Sequence, residues 1–369
     1  MLSELTATRR RLALVGLAKN TGKTVALAAL LRELGERGRA VGVTSVGRDG
    51  ERHDVIDARI EKPSVQLPAG SLVATTDVLL RASGLPHEIL EETDMRTPLG
   101  QVLVARLRGT GAIELAGPSV AAGVRRVSDA MLANGAQQVL IDGAVDRRAA
   151  SSPDVADGLV MSTGAVLDHD MAAVVSQTRD AVELVRLPGA DDGSPGASRL
   201  QELTAVAPED REAPDAGRSS MLVGEDLEVV TLPRRFVLTS DGEQIAHVLD
   251  ANPTARWLTV PGAVPERFLR NLVHPVQRRR RELVVVVLDP TKVFLWKRGP
   301  EWYRRQGIHL QTLKQIQLEA LTVNPIAPRS HRFDSAELRA LLRESIPELA
   351  IFDVLDPDYT GERLPAPAL

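Results

Sequence analysis

Val15-Gly16-Leu17-Ala18-Lys19-Asn20-Thr21-Gly22-Lys23-Thr24 is the stretch whose reading decides the fold. Before it, the apolar run at 12–15 reads as a buried strand. After it, Val25, Leu27, Ala28, Leu30, Leu31 and Leu34 fall at helical spacing and predict a helix over 25–36. A glycine-bearing loop between strand and helix lets successive backbone N–H groups face phosphate oxygens, and the helix start adds partial positive charge. In such a P-loop, Lys23 would reach the β- and γ-phosphates and the Thr24 hydroxyl would ligate Mg²⁺. The nucleotide-binding set is therefore Gly16, Leu17, Ala18, Lys19, Asn20, Thr21, Gly22, Lys23 and Thr24, with ATP and Mg²⁺ as the expected cofactors. The spacing is altered: the first glycine of the usual pattern belongs at position 17, occupied by Leu17, and Gly16 comes one residue early. Lys19 is a second cation inside the loop.

Outward from this loop, short apolar runs alternate with amphipathic stretches, the pattern of βαβ units around a mainly parallel sheet. Strands are predicted at 40–46, 72–74, 101–106, 112–115, 138–141 and 158–161, and helices at 76–83, 120–134 and 166–184. Residues 186–220 are rich in Pro, Gly, Asp and Ala without a sustained period and read as a flexible linker or insertion. A second α/β pattern follows, with strands at 256–260, 283–288, 294–296 and 350–354 and helices at 265–272 and 336–344. The expected fold is α/β: a P-loop NTPase domain at 1–185, a linker at 186–220, a second, smaller α/β domain at 221–355 and a poorly ordered tail at 356–369.

Composition narrows the function classes. The chain has 369 residues, 43% of them apolar, and 0 cysteines, which removes disulfides, thiolate metal sites and Cys nucleophiles together. A net charge of -4 gives no bulk attraction to nucleic acid or anionic membrane. Arg9, Arg10 and Arg11 before an apolar run superficially resemble a secretory signal, but the run breaks at Lys19 and Asn20. A cytoplasmic protein without membrane or nucleic-acid partners is expected. The arginine run at 278–281 reads as a solvated helix end, because no interleaved aromatics accompany it. Trp257, Trp296 and Trp302 read as core fillers, with the 296–303 cluster as an alternative docking face.

Hydrolysis also needs carboxylates at strand ends. Asp142 follows Gln138-Val139-Leu140-Ile141 and precedes Gly143, the layout of a Walker B element. Glu114 stands similarly in Ile113-Glu114-Leu115-Ala116-Gly117-Pro118-Ser119, and Asp49 follows the second strand in Ser45-Val46-Gly47-Arg48-Asp49-Gly50. Thr24, Asp49, Glu114 and Asp142 form the metal set; Lys23, Asp49 and Lys19 form the catalytic set, with Asp49 orienting the attacking water. Helix caps and turns also place acids at strand ends, and an Asp-Gly turn alone would account for Asp49. Arg48, Arg147 and Arg148 are γ-phosphate clamps or solvated surface arginines. His53 is a proton acceptor or a structural histidine. No histidine cluster has metal-ligand spacing.

The P-loop segment resembles the P-loop subunit of the lysine 5,6-aminomutase reactivase, the KamB-type family, and more distantly the dethiobiotin synthetase and MinD-like ATPase class. Thr44-Ser45-Val46-Gly47-Arg48-Asp49-Gly50, Thr97-Pro98-Leu99-Gly100, residues 113–119, Ile141-Asp142-Gly143-Ala144-Val145-Asp146-Arg147, Thr322-Val323-Asn324-Pro325 and Ile351-Phe352-Asp353-Val354 are similar as well. The resemblance implies an ATPase that reactivates a cobalamin-dependent aminomutase by coupling ATP turnover to release of damaged cofactor. It also implies a second, MutS-related reactivase subunit as partner. Lys23, Thr24, Asp49, Glu114 and Asp142 carry over as nucleotide and metal contacts only. The chain has no Asp-x-His-x-x-Gly box to hold cobalamin. ATP is expected over GTP from the resemblance and from the absence of an Asn/Thr-Lys-x-Asp motif. Two other readings stay open: an ATP-dependent ligase like dethiobiotin synthetase, with Lys19, Arg48 or Arg147 holding a carboxylate substrate, and a nucleotide-gated binding module with little turnover. Self-association is left open.

Overall fold

A computed structural model describes residues 1–47, 64–143, 148–191, 193–205, 219–328, 330–356 and 359. The chain is mixed α/β, with a large, mainly parallel sheet. Its first strands are β1 (Arg11–Gly16), β2 (Val41–Ser45), β3 (Val65–Leu67), β4 (Leu72–Thr76), β5 (His87–Thr97), β6 (Gly100–Leu107), β7 (Gly111–Ile113), β8 (Gln138–Gly143) and β9 (Gly158–Gly164). Then come β10 (Met221–Gly224), β11 (Val229–Thr231), β12 (Ala255–Val260), β13 (Val264–Pro265), β14 (Leu283–Val287), β15 (Val293–Phe294) and β16 (Ile308–Thr312). The last two are β17 (Gln317–Asn324) and β18 (Ala350–Phe352). Met1–Arg179 and Ile316–Leu369 make one compact unit, and Asp180–Gln315 makes another.

In the first unit nine strands lie in the order β18-β17-β9-β1-β8-β2-β4-β6-β5. From β18 across to β4 every neighbouring pair is parallel, while β6 and β5 add antiparallel at one edge. A parallel sheet needs apolar residues on both faces, because its crossover helices cover both. Accordingly Leu12, Ala13 and Leu14 of β1 and Val139, Leu140 and Ile141 of β8 are all fully buried. The helix Lys23–Glu36 buries Ala26, Leu27, Leu30 and Leu34 in the same core as Leu12, Leu14 and Leu140. The strand-loop-helix opening predicted from sequence is thus present, and the C-terminal ends of β1, β8, β2, β9 and β17 share one edge.

β5 shows why one strand escaped prediction. Its sequence, HEILEETDMRT, is charged and mostly exposed or half-buried. As the outermost strand it needs no apolar face on both sides, and charge on an edge discourages pairing with other chains. Apolar periodicity cannot find such a strand.

The second unit holds a sheet of order β11-β10-β12-β14-β16, parallel through β12, β14 and β16 and antiparallel at β10 and β11. The valine-rich run at 283–288 is its buried centre. Arg278 and Arg279 close the helix Glu266–Arg279; Arg278, Arg280 and Arg281 are exposed, as a solvated helix end requires, while Arg279 is half-buried. Arg279 donates to the carbonyls of Pro253 and Ala255 at 2.9 and 3.1 Å, and Arg281 to Pro253 at 3.0 Å. In the 296–303 cluster Tyr303 is buried, whereas Trp296 is largely exposed.

The boundaries drawn from composition need correcting in three places. Residues 317–324 and 350–352, assigned to the second domain at 221–355, pair instead in the first sheet, as β17 against β9 and β18 against β17. Sequence proximity favoured the wrong neighbour; hydrogen bonding between strands far apart in sequence decided it. The region read as a linker, 186–220, contains the helix Pro195–Ala205, whose Leu200 is buried against β14 residues Val284 and Val286. The tail from 356 includes Tyr359, which is buried in the first unit's core. Among the described residues no helix is long and apolar enough to cross a membrane.

Candidate phosphate-binding site

β1 ends at Gly16, and the chain turns through residues 17–22 before the helix begins at Lys23. The amide of Leu17 donates to the Ser162 carbonyl of β9 at 2.9 Å, tying the loop's first residue to the neighbouring strand. Inside the loop the Thr21 hydroxyl donates to the Ala18 carbonyl at 3.0 Å. This folding-back crowds the early glycine: a Cβ on Gly16 would sit 2.4 Å from Thr21 Oγ1 and 3.2 Å from the Ala18 carbonyl, so a side chain there would have to displace the threonine. Leu17, half-buried and bonded to Ser162, has no such constraint. Gly22 closes the loop at φ +88°, a left-handed conformation natural to glycine.

In the helix that follows, the N-cap residue Gly22 supplies no side-chain cap and the first turn contains no acid, as is also true of the helix Ala121–Ala133. Lys23 stands at the first helical position, where the macrodipole is already positive; a misplaced charge of this kind costs about 0.3–1 kcal/mol. Among the described residues the amides of Gly22, Lys23 and Thr24 donate to no protein backbone acceptor. Thr24 is exposed, as are Lys19 and Asn20 on the loop. The helix start thus carries N–H donors, an ammonium and a hydroxyl within three consecutive residues, the kinds of group that hold anions at helix N-termini.

The ammonium of Lys23 lies 2.8 Å from Asp142 Oδ1 and donates to the Gly143 carbonyl at 2.9 Å. β8 lies directly beside β1, with Asp142 in register with Leu14, so the sheet brings this carboxylate to the loop. The side chains of Lys23 and Asp142 are 19% and 24% exposed, a pair shielded from bulk water yet reachable by a ligand.

Glu114 is placed elsewhere. Its carbonyl accepts from Thr75 Oγ1 of β4 at 3.1 Å, and the following Ala116 amide donates to the same hydroxyl at 3.0 Å. β4 is separated from β1 by β2 and β8, three strand spacings or about 14 Å. The sheet therefore brings Asp142, not Glu114, together with Lys23. Asp49, Arg48, His53 and Arg147, and the side chain of Arg148, lie outside the described residues. Among the described residues no group of three or more His, Asp or Glu side chains is arranged to hold a metal by itself.

Two residues at this edge have roles that sequence reasoning did not assign. Ser162 receives the Leu17 amide through its carbonyl, and its hydroxyl bonds Thr322 Oγ1 at 2.7 Å, joining β9 to β17 beneath the loop. Asn324, at the end of β17, donates through Nδ2 to the Asn20 carbonyl at 2.8 Å. The signal for Asn324 was an Asn-Pro pair ending an apolar run, but only the strand order shows that this run reaches the loop.

No protein-family model matches the chain, and no curated protein matches it.

Proposed function

We propose that this chain is a P-loop ATPase that binds ATP with Mg²⁺ through residues 16–24 and Asp142. One observation carries the reading. The helix Lys23–Glu36 begins with no side-chain cap, a cation in its first position and unaccepted amides, at the C-terminal edge of a mainly parallel sheet. That edge is where open α/β sheets bind ligands. Polyphosphate oxygens would accept from the amides of Gly22, Lys23 and Thr24 and compete with Asp142 and the Gly143 carbonyl for the lysine ammonium. Mg²⁺ takes one or two protein oxygens beside phosphates and water. The exposed Thr24 hydroxyl and the Asp142 carboxylate fit that modest demand, and the ion when bound would neutralise charge on the β- and γ-oxygens. Asp49 keeps its sequence-based role of orienting the attacking water. Lys19 is a second cation for the phosphates, and Glu114, set over β4, is a more distant acid.

Equilibrium titration of ATP with wild type and Lys23→Ala tests the site. Loss of binding in the variant is expected; equal affinity and unchanged hydrolysis would remove the assigned role. The resemblance to the lysine 5,6-aminomutase reactivase extends the proposal to a biological role. ATP turnover would drive release of damaged cofactor from a cobalamin-dependent aminomutase, together with a MutS-related second subunit. Recovery of inactivated aminomutase with ATP and both subunits is the expected result. Phosphate release that depends instead on a small carboxylic acid would replace this role with the ligase reading while leaving the nucleotide site intact.

A further inference from the structure

Asn324 touches the phosphate loop at two special positions. Asn20 and Gly22 are the loop's left-handed residues, at φ 66° and 88°. For Asn20 that conformation carries a steric cost, less for asparagine than for most side chains, so its surroundings must hold it there. The Asn324 amide does so, donating to the Asn20 carbonyl at 2.8 Å. Its Oδ1 accepts from the Ile326 amide at 3.1 Å, which settles the orientation of the side chain with nitrogen toward the loop. At the second position, a Cβ on Gly22 would stand 3.1 Å from Asn324 Cβ, so the glycine and the asparagine are packed against each other.

The opposite end of the same helix is held by the same part of the chain. Glu33, only 1% exposed, accepts from the Ser3 amide at 2.9 Å and from the phenol of Tyr359. The Tyr359 oxygen in turn accepts from the Leu2 amide at 3.1 Å. Residues 316–359 thus grip the helix Lys23–Glu36 at both ends, by an amide at its open start and by a phenol near its close.

We infer that Asn324 is a positioning residue for the phosphate loop: it holds Asn20 and Gly22 so that the amides of Gly22, Lys23 and Thr24 converge on one anion. The inference rests on the proposed phosphate site and adds what keeps that site shaped. A loop released from Asn324 samples other conformations, and affinity falls in proportion to the fraction left in the competent one.

The test uses inorganic tripolyphosphate, which has neither base nor ribose, alongside ATP. The full chain is titrated as wild type, Asn324→Leu, Asn20→Gly and the double variant. Leucine keeps volume near Gly22 but cannot donate. Asn324→Leu is expected to weaken tripolyphosphate and ATP by the same factor, roughly five- to tenfold for one lost hydrogen bond. Adding Asn20→Gly should recover part of that loss, because glycine reaches the left-handed region unaided. Unchanged tripolyphosphate affinity would overturn the inference. Weakening of ATP alone would overturn it too, by assigning Asn324 to the nucleoside. A loss that Asn20→Gly leaves untouched, with a matching fall in thermal stability, would reduce Asn324 to a structural residue. If wild type binds neither ligand, the phosphate site itself fails. Amide hydrogen exchange at 20–23 then still decides the positioning: faster exchange in Asn324→Leu upholds it, and equal exchange refutes it.

Discussion

The helices Lys23–Glu36 and Ser335–Ser345 belong to the same unit and begin in opposite ways. Ser335–Ser345 has Asp334 as N-cap, whose carboxylate accepts from the Glu337 amide at 2.9 Å, with Glu337 adding negative charge in the first turn. Gly242–Ala251, in the other unit, has a full capping box of Asp241 and Gln244. Lys23–Glu36 has a glycine, a lysine and bare amides. Ser335–Ser345 and Gly242–Ala251 are thus capped by their own N-cap side chains. The helix Ala121–Ala133 lacks a side-chain cap and a first-turn acid as Lys23–Glu36 does, so what sets Lys23–Glu36 apart is the lysine at its first position. The contrast continues along that helix: its start is partly exposed and cationic, while Glu33 near its end is buried and fully engaged.

The comparison is broken most directly by removing its cation. Lys23→Ala should weaken ATP by about 100-fold, the worth of a charge-assisted contact, while chemical denaturation stays within about 1 kcal/mol of wild type. An equal loss of stability and binding would mean that the lysine serves the fold.

At the other end, Tyr359→Phe strips a partner from the buried Glu33 carboxylate and should destabilise by about 1–3 kcal/mol, read from urea unfolding. It should also change the alkaline limb. Burial, then the hydrogen bond to Glu33, pushes the Tyr359 phenol above its ordinary range. Below pH of about 10 the phenol is neutral in both states. Above that, the unfolded chain loses the proton first, so native stability declines as pH rises. The phenylalanine variant should lack this part of the decline; an unaltered alkaline limb would argue against the buried phenol.

Closing the open start sharpens the contrast. Val25 is 38% exposed in the first turn, so Val25→Glu supplies the missing acid. It should raise the melting temperature slightly, by about 0.3–1 kcal/mol of stabilisation, and weaken ATP about tenfold through repulsion. Stronger ATP binding in this variant would contradict an anion site there. The smallest effect on binding belongs to the capped helix: Asp334→Ala should cost about 1 kcal/mol of stability and leave ATP affinity unchanged.

Much of the site was legible locally. Residues 17–22 lie between strand and helix much as the apolar spacing requires, the helix starting two residues earlier than predicted, and Asp142 stands near the end of a strand that reads plainly as buried. What resisted reading was non-local. β5 is charged because it is an edge, and 317–324 and 350–352 sit late in the chain yet pair beside β9. Glu114 and Asp142 looked alike as acids after apolar runs, and only strand order separated them.

By itself the sequence determined what depends on neighbours a few residues apart: the loop's glycines, the helix that follows and the buried character of the central strands. Periodicity and backbone preference act at that range. Only the tertiary structure decided that Asp142 meets Lys23, that Ser162 and Asn324 hold the loop, and that Tyr359 seals Glu33. Those pairings come from the order of strands in a sheet, which hydrogen bonding and core packing select across the whole chain and no local spacing encodes.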